Sequence, residues 1–475
     1  MHRATKAAGA VVLVLALLPE LGGCSIIGRA DFEECKTNAD CRATFGVGSV
    51  CGDDGLCGPA QSSARCQLTE PPDLFTRREK YQDAVVLGSL MDRSSATHQH
   101  REKSSRLAIM QVNEEGGIDG HEVAAIYCTY EANPQLDDLK APDAALASAH
   151  YLADVAGVPA IFGPAGSADV SAVYQALRGT GVLVMSPSAT SPALTDLDPP
   201  ATDAAPGLLW RTAPPDTLQG PVIAQDMATR AIGSVFVIAQ KGAYGEGLAT
   251  IFQRSFTGTV ELRVFGTENE RNALVTEAGA AAATEVLFIS SVQADVIAFL
   301  NAANQNPTYA TKTFFLTDSA ANKEVIDGSP SGLFSRIRGT RPTPVNAADP
   351  VFNNFRGSYA SKYSEDVTAF SFTAHMYDAA WLVFSGAAWS TFQEGRVTGL
   401  GIARGLRKVS SGRAFDIQPL SWGGILQNFR TGTGIDVRGA SGTLNYDPVT
   451  EETEAPIEVW VIRQDAQGVF TVQPA

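Results

Sequence analysis

Three consecutive segments decide the fold: Ala84-Val85-Val86-Leu87-Gly88-Ser89-Leu90, then Arg101–Asn113, then Val123-Ala124-Ala125-Ile126-Tyr127-Cys128. The first and last are short apolar runs, which is typical of strands buried on both faces, and the middle segment has the length of a helix. A strand, a helix and a second strand in this order form a βαβ unit with parallel strands. The chain is therefore predicted to be an α/β protein.

The same alternation continues beyond this unit. Further strand candidates are Pro159–Phe162, Val182–Met185, Ser234–Ala239, Val260–Phe265, Glu285–Ile289 and Thr313–Thr317. The further helix candidates are Asp143–Asp154, Asp169–Arg178, Leu218–Ala231, Glu246–Phe256, Ala294–Ala303, Ser371–Ala388 and Thr398–Lys408. These βα units are more than a single open sheet usually contains. A terminal strand pair near Ile457–Arg463 and Val469–Val472 disfavours a closed (β/α)8 barrel. We therefore predict two Rossmann-like lobes, each a parallel sheet flanked by helices.

Loops rich in Pro, Gly, Ser and Asp mark the expected connections between the lobes. The loop at 200–207 lies near the expected first hinge crossing, and the loops at 339–344 and 439–448 mark the second and third. The predicted division assigns residues 80–213 and 343–437 to the N-terminal lobe, and residues 214–342 and 438–475 to the C-terminal lobe.

The N-terminus carries the features of an export signal. A basic start, Met1–Lys6, precedes the apolar run Ala7–Leu18, which is too short to span a bilayer but suits a signal-peptide core. Leu21-Gly22-Gly23-Cys24 then resembles the lipobox of bacterial lipoproteins, although Glu20 lies unusually close to the cleavage point. We expect residues 1–23 to be removed and Cys24 to carry lipid, which holds the protein on a membrane facing the periplasm or exterior. An ordinary signal peptide with a chance cysteine is the alternative.

Six further cysteines predict disulfides, because an even number in an oxidising compartment favours pairing. They are Cys35, Cys41, Cys51, Cys57, Cys66 and Cys128. Six cysteines allow fifteen pairings, and a Cys66–Cys128 link between tether and lobes is a hypothesis. Zinc is the alternative, but no CxxC pair and no nearby histidine support it. Residues 24–79 contain little apolar material, so we predict a tether whose order comes from its cross-links.

Composition and motifs exclude several functions. The 475 residues carry a formal net charge of −15, which disfavours contact with nucleic-acid phosphates. The sequence has no P-loop, HExxH, GxSxG or CxxC motif. His98 and His100 flank Gln99, and we expect them to face solvent rather than hold a metal. We therefore expect no catalysis, no cofactor and no metal site.

A set of loop motifs resembles those of a known family. In order along the chain, they are Asn113-Glu114-Glu115-Gly116-Gly117-Ile118, Gly163-Pro164-Ala165-Gly166-Ser167, Ser186-Pro187-Ser188-Ala189-Thr190, Arg211–Asp216, Tyr244-Gly245-Glu246-Gly247, Tyr377-Asp378-Ala379-Ala380 and Ser441-Gly442. Over residues 80–475 this order resembles type I periplasmic binding proteins, especially the leucine/isoleucine/valine-binding branch. The resemblance implies a monomer that closes on a small solute and delivers it to the permease of an ABC importer.

Two of these loops suit a carboxylate. Gly166 and Ser167 follow one predicted strand, and Ser188, Ala189 and Thr190 follow the next. Loops at the carboxyl ends of parallel strands present backbone N–H groups and the positive ends of helices, which bind anions. Capping of the helices by the same hydroxyls is the alternative.

The resemblance implies further ligand contacts. Asp318 stands where the family pairs an acidic residue with an α-ammonium group, and Tyr244 and Phe372 stand where aromatic rings contact the ligand. The alternatives are a capping or turn role for Asp318 and hinge or core packing for the two rings. Two positions depart from the family: Ser291, which can still donate a hydrogen bond to the ligand, replaces a frequent tyrosine, and Arg93 replaces small or aromatic residues. Arg93 either binds a second acidic group or is a solvated charge at the rim.

Because of these departures, the expected ligand is either an amino acid or a similar small polar metabolite. A ligand-sensing receptor lipoprotein that is not coupled to transport is the second functional interpretation. A structural surface lipoprotein with a vestigial cleft is the third.

Overall fold

The computed structural model describes residues 33–199, 201–343 and 348–475. The described chain begins with a small cross-linked unit of residues 33–66, here called the cystine unit. It contains α1 (Asn38–Phe45), β1 (Ser49–Cys51) and β2 (Cys57–Pro59). The predicted disulfides are confirmed, and the pairs are Cys35–Cys51, Cys41–Cys57 and Cys66–Cys128.

The cystine unit is docked on the first lobe. Arg42 donates hydrogen bonds from its Nη1 to the backbone carbonyls of Asp154 (3.4 Å) and Val155 (3.2 Å). Cys66 is joined to Cys128 in a strand of the lobe, which agrees with the hypothesised link. The sulfur atoms of Cys35, Cys41 and Cys51 lie within 4.8 Å of one another, but all three are consumed in disulfides and are not free thiolates.

The first lobe is built on a six-stranded sheet within the described residues, with the strand order β3-β5-β4-β6-β7-β8. Its strands are β3 (Leu68–Glu70), β4 (Val85–Met91), β5 (Val123–Thr129), β6 (Ala160–Phe162), β7 (Leu183–Ser186) and β8 (Leu209–Arg211). Only β3 is antiparallel to its neighbour. The helices of this part are α2 (Ala96–Glu114), α3 (Asp143–His150), which continues as a π-helix over Tyr151–Ala156, and α4 (Ser167–Ala176).

The second lobe repeats the βα alternation around its own sheet. Its elements are α5 (Asp216–Thr229), β9 (Ser234–Gln240), α6 (Ala243–Ser255), β10 (Thr259–Phe265), α7 (Glu268–Ala280), β11 (Glu285–Ile289), α8 (Gln293–Gln305), β12 (Thr313–Leu316), α9 (Lys323–Gly328) and β13 (Ile337–Pro342). The sheet order is β10-β9-β11-β12-β13-β17-β18, where the last two strands come from the chain's end and are antiparallel.

The chain then returns to the first lobe before it ends in the second. The returning elements are α10 (Pro350–Tyr363), α11 (Thr373–Glu394), α12 (Gly399–Leu406), β14 (Arg413–Asp416), α13 (Trp422–Arg430), β15 (Ile435–Gly439) and β16 (Gly442–Thr443). The final pair is β17 (Ile457–Gln464) and β18 (Phe470–Pro474). Helix α11 is buried over most of its length because it is apolar on several faces, and it forms the centre of the first-lobe core.

The last crossing lies at the end of the loop predicted for it, 439–448, and after the expected lobe boundary at 437/438. Ile435, Val437, Ala440 and Leu444 are buried in the core of the first lobe, so the chain leaves that lobe only after Tyr446. The expected boundary at 437/438 cut through this packed segment.

The two lobes, their mainly parallel sheets and the preceding disulfides confirm the predicted fold class. Within the described residues, no helix combines the length and apolar character that crossing a membrane requires.

Candidate functional site

A cavity of about 250 Å³ lies between the lobes. Residues that follow β4, β6 and β7 line it from one side, and residues that follow β9, β11 and β12 line it from the other. The carboxyl ends of parallel strands are where α/β proteins bind ligands. The cavity is lined by the predicted residues Gly166, Ser167, Ser188, Tyr244, Ser291, Asp318 and Phe372, whereas Ala189, Thr190 and Arg93 do not line it.

The first-lobe side is held by hydrogen bonds between neighbouring loops. Ser167 is the first residue of α4, so the positive end of that helix points toward the cavity, and its hydroxyl accepts a bond from the backbone N–H of Ser191 (3.2 Å). The hydroxyl of Ser188 donates to the carbonyl of Ala165 (3.0 Å). These hydroxyls join the loops to one another, and no side chain caps the start of α4, so the capping alternative does not describe them.

Arg101 supplies the cavity's guanidinium, and the sequence analysis missed it. The residue is 3% exposed and donates from Nη1 to the Ser188 hydroxyl (2.9 Å) and from Nε to the Ser371 carbonyl (3.0 Å). Its guanidinium carbon lies 5.2 Å from the ring centre of Phe372. Burial lowers the pKa of Arg101 to about 10, so the group remains charged at neutral pH. The guanidinium is therefore placed to receive an anionic group.

Arg93 takes neither of the roles expected for it. Its Nε donates to both carboxylate oxygens of Glu102, at 3.2 and 2.9 Å. Arg93 is thus paired with Glu102 of α2, so it is not a free charge at the rim. It also does not line the cavity.

On the second-lobe side the central group is the Asp318 carboxylate, which is 3% exposed. It accepts hydrogen bonds from the Tyr244 hydroxyl and from Nε2 of Gln219 (3.3 Å). Burial raises the pKa of Asp318, and these two hydrogen bonds oppose the rise. Ser291 lines the cavity too, but its hydroxyl donates to Oε1 of Gln240 (2.9 Å), so that donor is already used.

Asp216 is a second buried carboxylate close to Asp318, and the sequence analysis gave it no role. Its carboxylate is buried beside the Thr190 hydroxyl, which interacts with it, and has no other hydrogen-bond partner among the described residues. Burial raises the pKa of Asp216 well above its ordinary value, and the charge of Asp318 raises it further. The signal that could have found it is its place in the Arg211–Asp216 motif, next to the first crossing.

Direct contacts join the two lobes around the cavity. The hydroxyls of Ser95 and Thr97 both donate to Oε2 of Glu324 at 3.3 Å, and the Ser191 hydroxyl donates to the carbonyl of Ala243 at 2.6 Å. The two lobes are thus in direct contact beside the cavity.

The expectation that His98 and His100 face solvent was wrong. His98 lines the cavity, and burial together with nearby Arg101 lowers its pKa to about 3, which keeps it neutral. His100 is 9% exposed, and its Nδ1 lies 2.8 Å from the Tyr359 hydroxyl. Both belong to the beginning of α2, which starts five residues before its predicted start and turns one face toward the core.

Comparison with known families identifies a match over most of the lobes. The family model described as "Periplasmic binding protein" matches residues 85–421, well over half of the chain. A leucine-, isoleucine-, valine-, threonine- and alanine-binding protein of Pseudomonas aeruginosa is 30% identical over 145 residues, which is 30% of this chain and 35% of that protein. The chain matches about a third to a half of the length of such curated relatives.

Solved structures share the fold. The branched-chain amino acid transporter substrate-binding protein LivJ of Streptococcus pneumoniae, in complex with isoleucine, is 19% identical, with a TM-score of 0.61, and the match covers 82% of this chain and 100% of that one. A solute-binding protein of an ABC transporter from R. palustris, in complex with 4-hydroxybenzoate, is 14% identical, with a TM-score of 0.64, and the match covers 83% and 96%. At these identities the likeness establishes the two-lobed fold.

Proposed function

Because this chain belongs to the periplasmic binding protein family, we propose that it captures an amino acid or a similar small zwitterion by closing its lobes around it. The observation that carries the proposal is the cavity between the lobes, where Asp318 of one lobe and Arg101 of the other supply opposite charges. A carboxylate pairs with an ammonium group, and a guanidinium with hydroxyl neighbours pairs with a carboxylate. The two sides therefore suit the two ends of a zwitterion.

Closure and binding are coupled in this proposal. The bonds from Ser95 and Thr97 to Glu324 require the lobes to meet, and so does simultaneous contact of one ligand with Asp318 and Arg101. A ligand that contacts both lobes stabilises the closed state over the open one, which shifts the population toward closure. The family consists of binding proteins, so the ligand is released unchanged.

The test is a thermal-shift screen of the full chain, purified in detergent, against a panel of amino acids and related zwitterions. We expect at least one zwitterion to raise the melting temperature in a concentration-dependent manner, because a ligand that binds only the folded state stabilises it. A panel in which no zwitterion shifts the melting temperature would contradict the proposal.

We further propose that Cys24 is acylated and anchors the protein to a membrane, facing the periplasm or exterior. Cys24 lies outside the described residues, so the support is the Leu21–Cys24 sequence. Labelled palmitate should be incorporated by the wild-type protein and not by Cys24→Ala, since several acyl chains are attached through this position. Equal labelling of both proteins would refute the anchor.

The proposed partner is the permease of an ABC importer, to which the closed monomer delivers its ligand. The support is the family match alone. Cross-linking in membranes, followed by mass spectrometry of the captured proteins, should recover an importer permease in a ligand-dependent manner. Recovery of a signalling receptor in its place would favour the sensing alternative.

A further inference from the structure

The charged groups that line the cavity are unbalanced. The cavity is lined by four carboxylates, those of Asp92, Asp169, Asp318 and Glu324, against one guanidinium, that of Arg101. None of these five groups takes part in an ion pair within the part of the chain that the structure describes. His98 adds no positive charge, because it is neutral. The described lining is therefore strongly negative.

Two of the carboxylates occupy the first-lobe end of the cavity. Asp92 follows β4 and accepts hydrogen bonds from the backbone N–H (2.9 Å) and hydroxyl (2.6 Å) of Ser94. Asp169 lies in the first turn of α4, where a Cβ on Gly166 would come within 3.2 Å of its Oδ2. Burial raises the pKa of Asp169 to about 6, and the charge of Asp92 contributes to the rise. Burial raises the pKa of Tyr130, which lines the same end of the cavity, and the charges of both carboxylates raise it further.

A second observation points to the same shortage of positive charge. Asp216 is completely buried beside the Thr190 hydroxyl, and apart from that hydroxyl its carboxylate has no hydrogen-bond partner among the described residues. Asp216 does not itself line the cavity, but it interacts electrostatically with Asp318, which does. A buried carboxylate without a partner is costly unless a cation or a donor reaches it. Asp318, like Asp92 and Asp169, therefore lines the cavity without an ion-pair partner among the described residues, and it has a second buried acid nearby.

We propose that the ligand carries a second cationic group in addition to its α-ammonium group, as basic amino acids do, and that Asp92 and Asp169 bind that second group. The inference rests on the proposed function, which places the α-ammonium at Asp318 and the carboxylate at Arg101. A branched aliphatic side chain would leave Asp92 and Asp169 desolvated without a counter-charge, so such ligands bind weakly. A second carboxylate on the ligand would add repulsion.

The experiment compares L-lysine with L-norleucine, which has the same chain length and lacks the terminal ammonium group. Titration calorimetry of the full chain should give a dissociation constant at least about tenfold lower for lysine. Asp169→Asn and Asp92→Asn should each remove most of this preference, because lysine loses its counter-charge and norleucine no longer desolvates that carboxylate. Asp143→Asn is the matched control, because Asp143 is an exposed acidic residue in the first turn of α3. It should keep the preference.

The outcomes separate this inference from the proposed function. Tighter binding of norleucine or leucine than of lysine would overturn the second cationic group and leave capture of a zwitterion standing. A lysine preference that survives both Asp169→Asn and Asp92→Asn would overturn the assignment of these two residues. Failure of every zwitterion to bind the wild-type chain would refute the proposed function, and this inference with it.

Discussion

Replacement of Asp318 by Asn should weaken ligand binding and stabilise the empty protein at the same time. The buried carboxylate is placed to pair with the ligand's ammonium group, and Asn keeps its shape and its acceptor for Gln219 while removing the charge. Removal of one partner of a buried ion pair costs about 3 kcal/mol or more, which is about a hundredfold in the dissociation constant. We expect the affinity to fall by at least that factor.

Stability should change in the opposite direction. Because burial raises the pKa of Asp318 above its ordinary 3.8, the folded state holds this proton to higher pH than the unfolded chain does. The protonated carboxyl therefore contributes fully to folding stability at low pH, and this contribution is lost as the pH rises through the folded-state pKa. Asn has no such loss, and it also relieves repulsion with Asp216. We expect the empty variant to be more stable than wild type by about 1 kcal/mol at pH 8, and the difference to shrink toward pH 4.

The assay pairs calorimetric titration with chemical unfolding of the ligand-free protein at pH 4 and pH 8. Asp327→Asn is the control, because Asp327 is exposed on α9 of the same lobe and pairs with Lys323 on the surface. It should change neither quantity. An Asp318→Asn variant that binds as tightly as wild type, or that is less stable than wild type at pH 8, would refute this account of the cavity.

Three other perturbations have defined outcomes. Glu324→Ala removes the acceptor of two bonds between the lobes, so X-ray scattering should show a larger radius of gyration for the empty protein; an unchanged radius would contradict a closing contact. Joint replacement of Cys66 and Cys128 by Ala opens a cross-link with a sequence separation of 62, so urea unfolding should show a loss of about 4 kcal/mol, and no loss would refute its role. Affinity for lysine should fall as the pH drops through about 6, where Asp169 gains a proton beside Asp92 and Tyr130, and norleucine binding should not fall with it; a lysine affinity that does not change over this range would contradict the assignment of Asp169.

The βα units could be predicted because each consists of an apolar run followed by a helical segment. Strands such as Glu285–Ile289 were located to the residue, since strands buried on both faces are continuous apolar runs. Helix α7 was missed because it has few apolar residues, although Thr267 and Glu270 form a capping box that marks its start. Helix α10 likewise begins with Asp349 as its cap and Pro350 at its first position.

The site was predicted only as far as topology determines it. Asp318 and Ser188 follow strands directly, so the fold alone brings them to the cavity. Arg101 lies on a helix, where its direction depends on the turn at which α2 begins, and the sequence analysis began that helix too late. Asp216 matters because it interacts electrostatically with Asp318. The two residues are far apart in the sequence, and local patterns do not reveal such a pairing.

The central claim, capture of a zwitterion in the cavity between the lobes, is tested most directly by mass spectrometry of small molecules released when the freshly purified full chain is denatured. We predict that wild-type protein releases one amine-bearing zwitterion in an amount that approaches one per chain, and that Asp318→Asn releases little of it. Release of the same compound in equal amount from both proteins, or release of a compound that lacks an ammonium group, would contradict the claim.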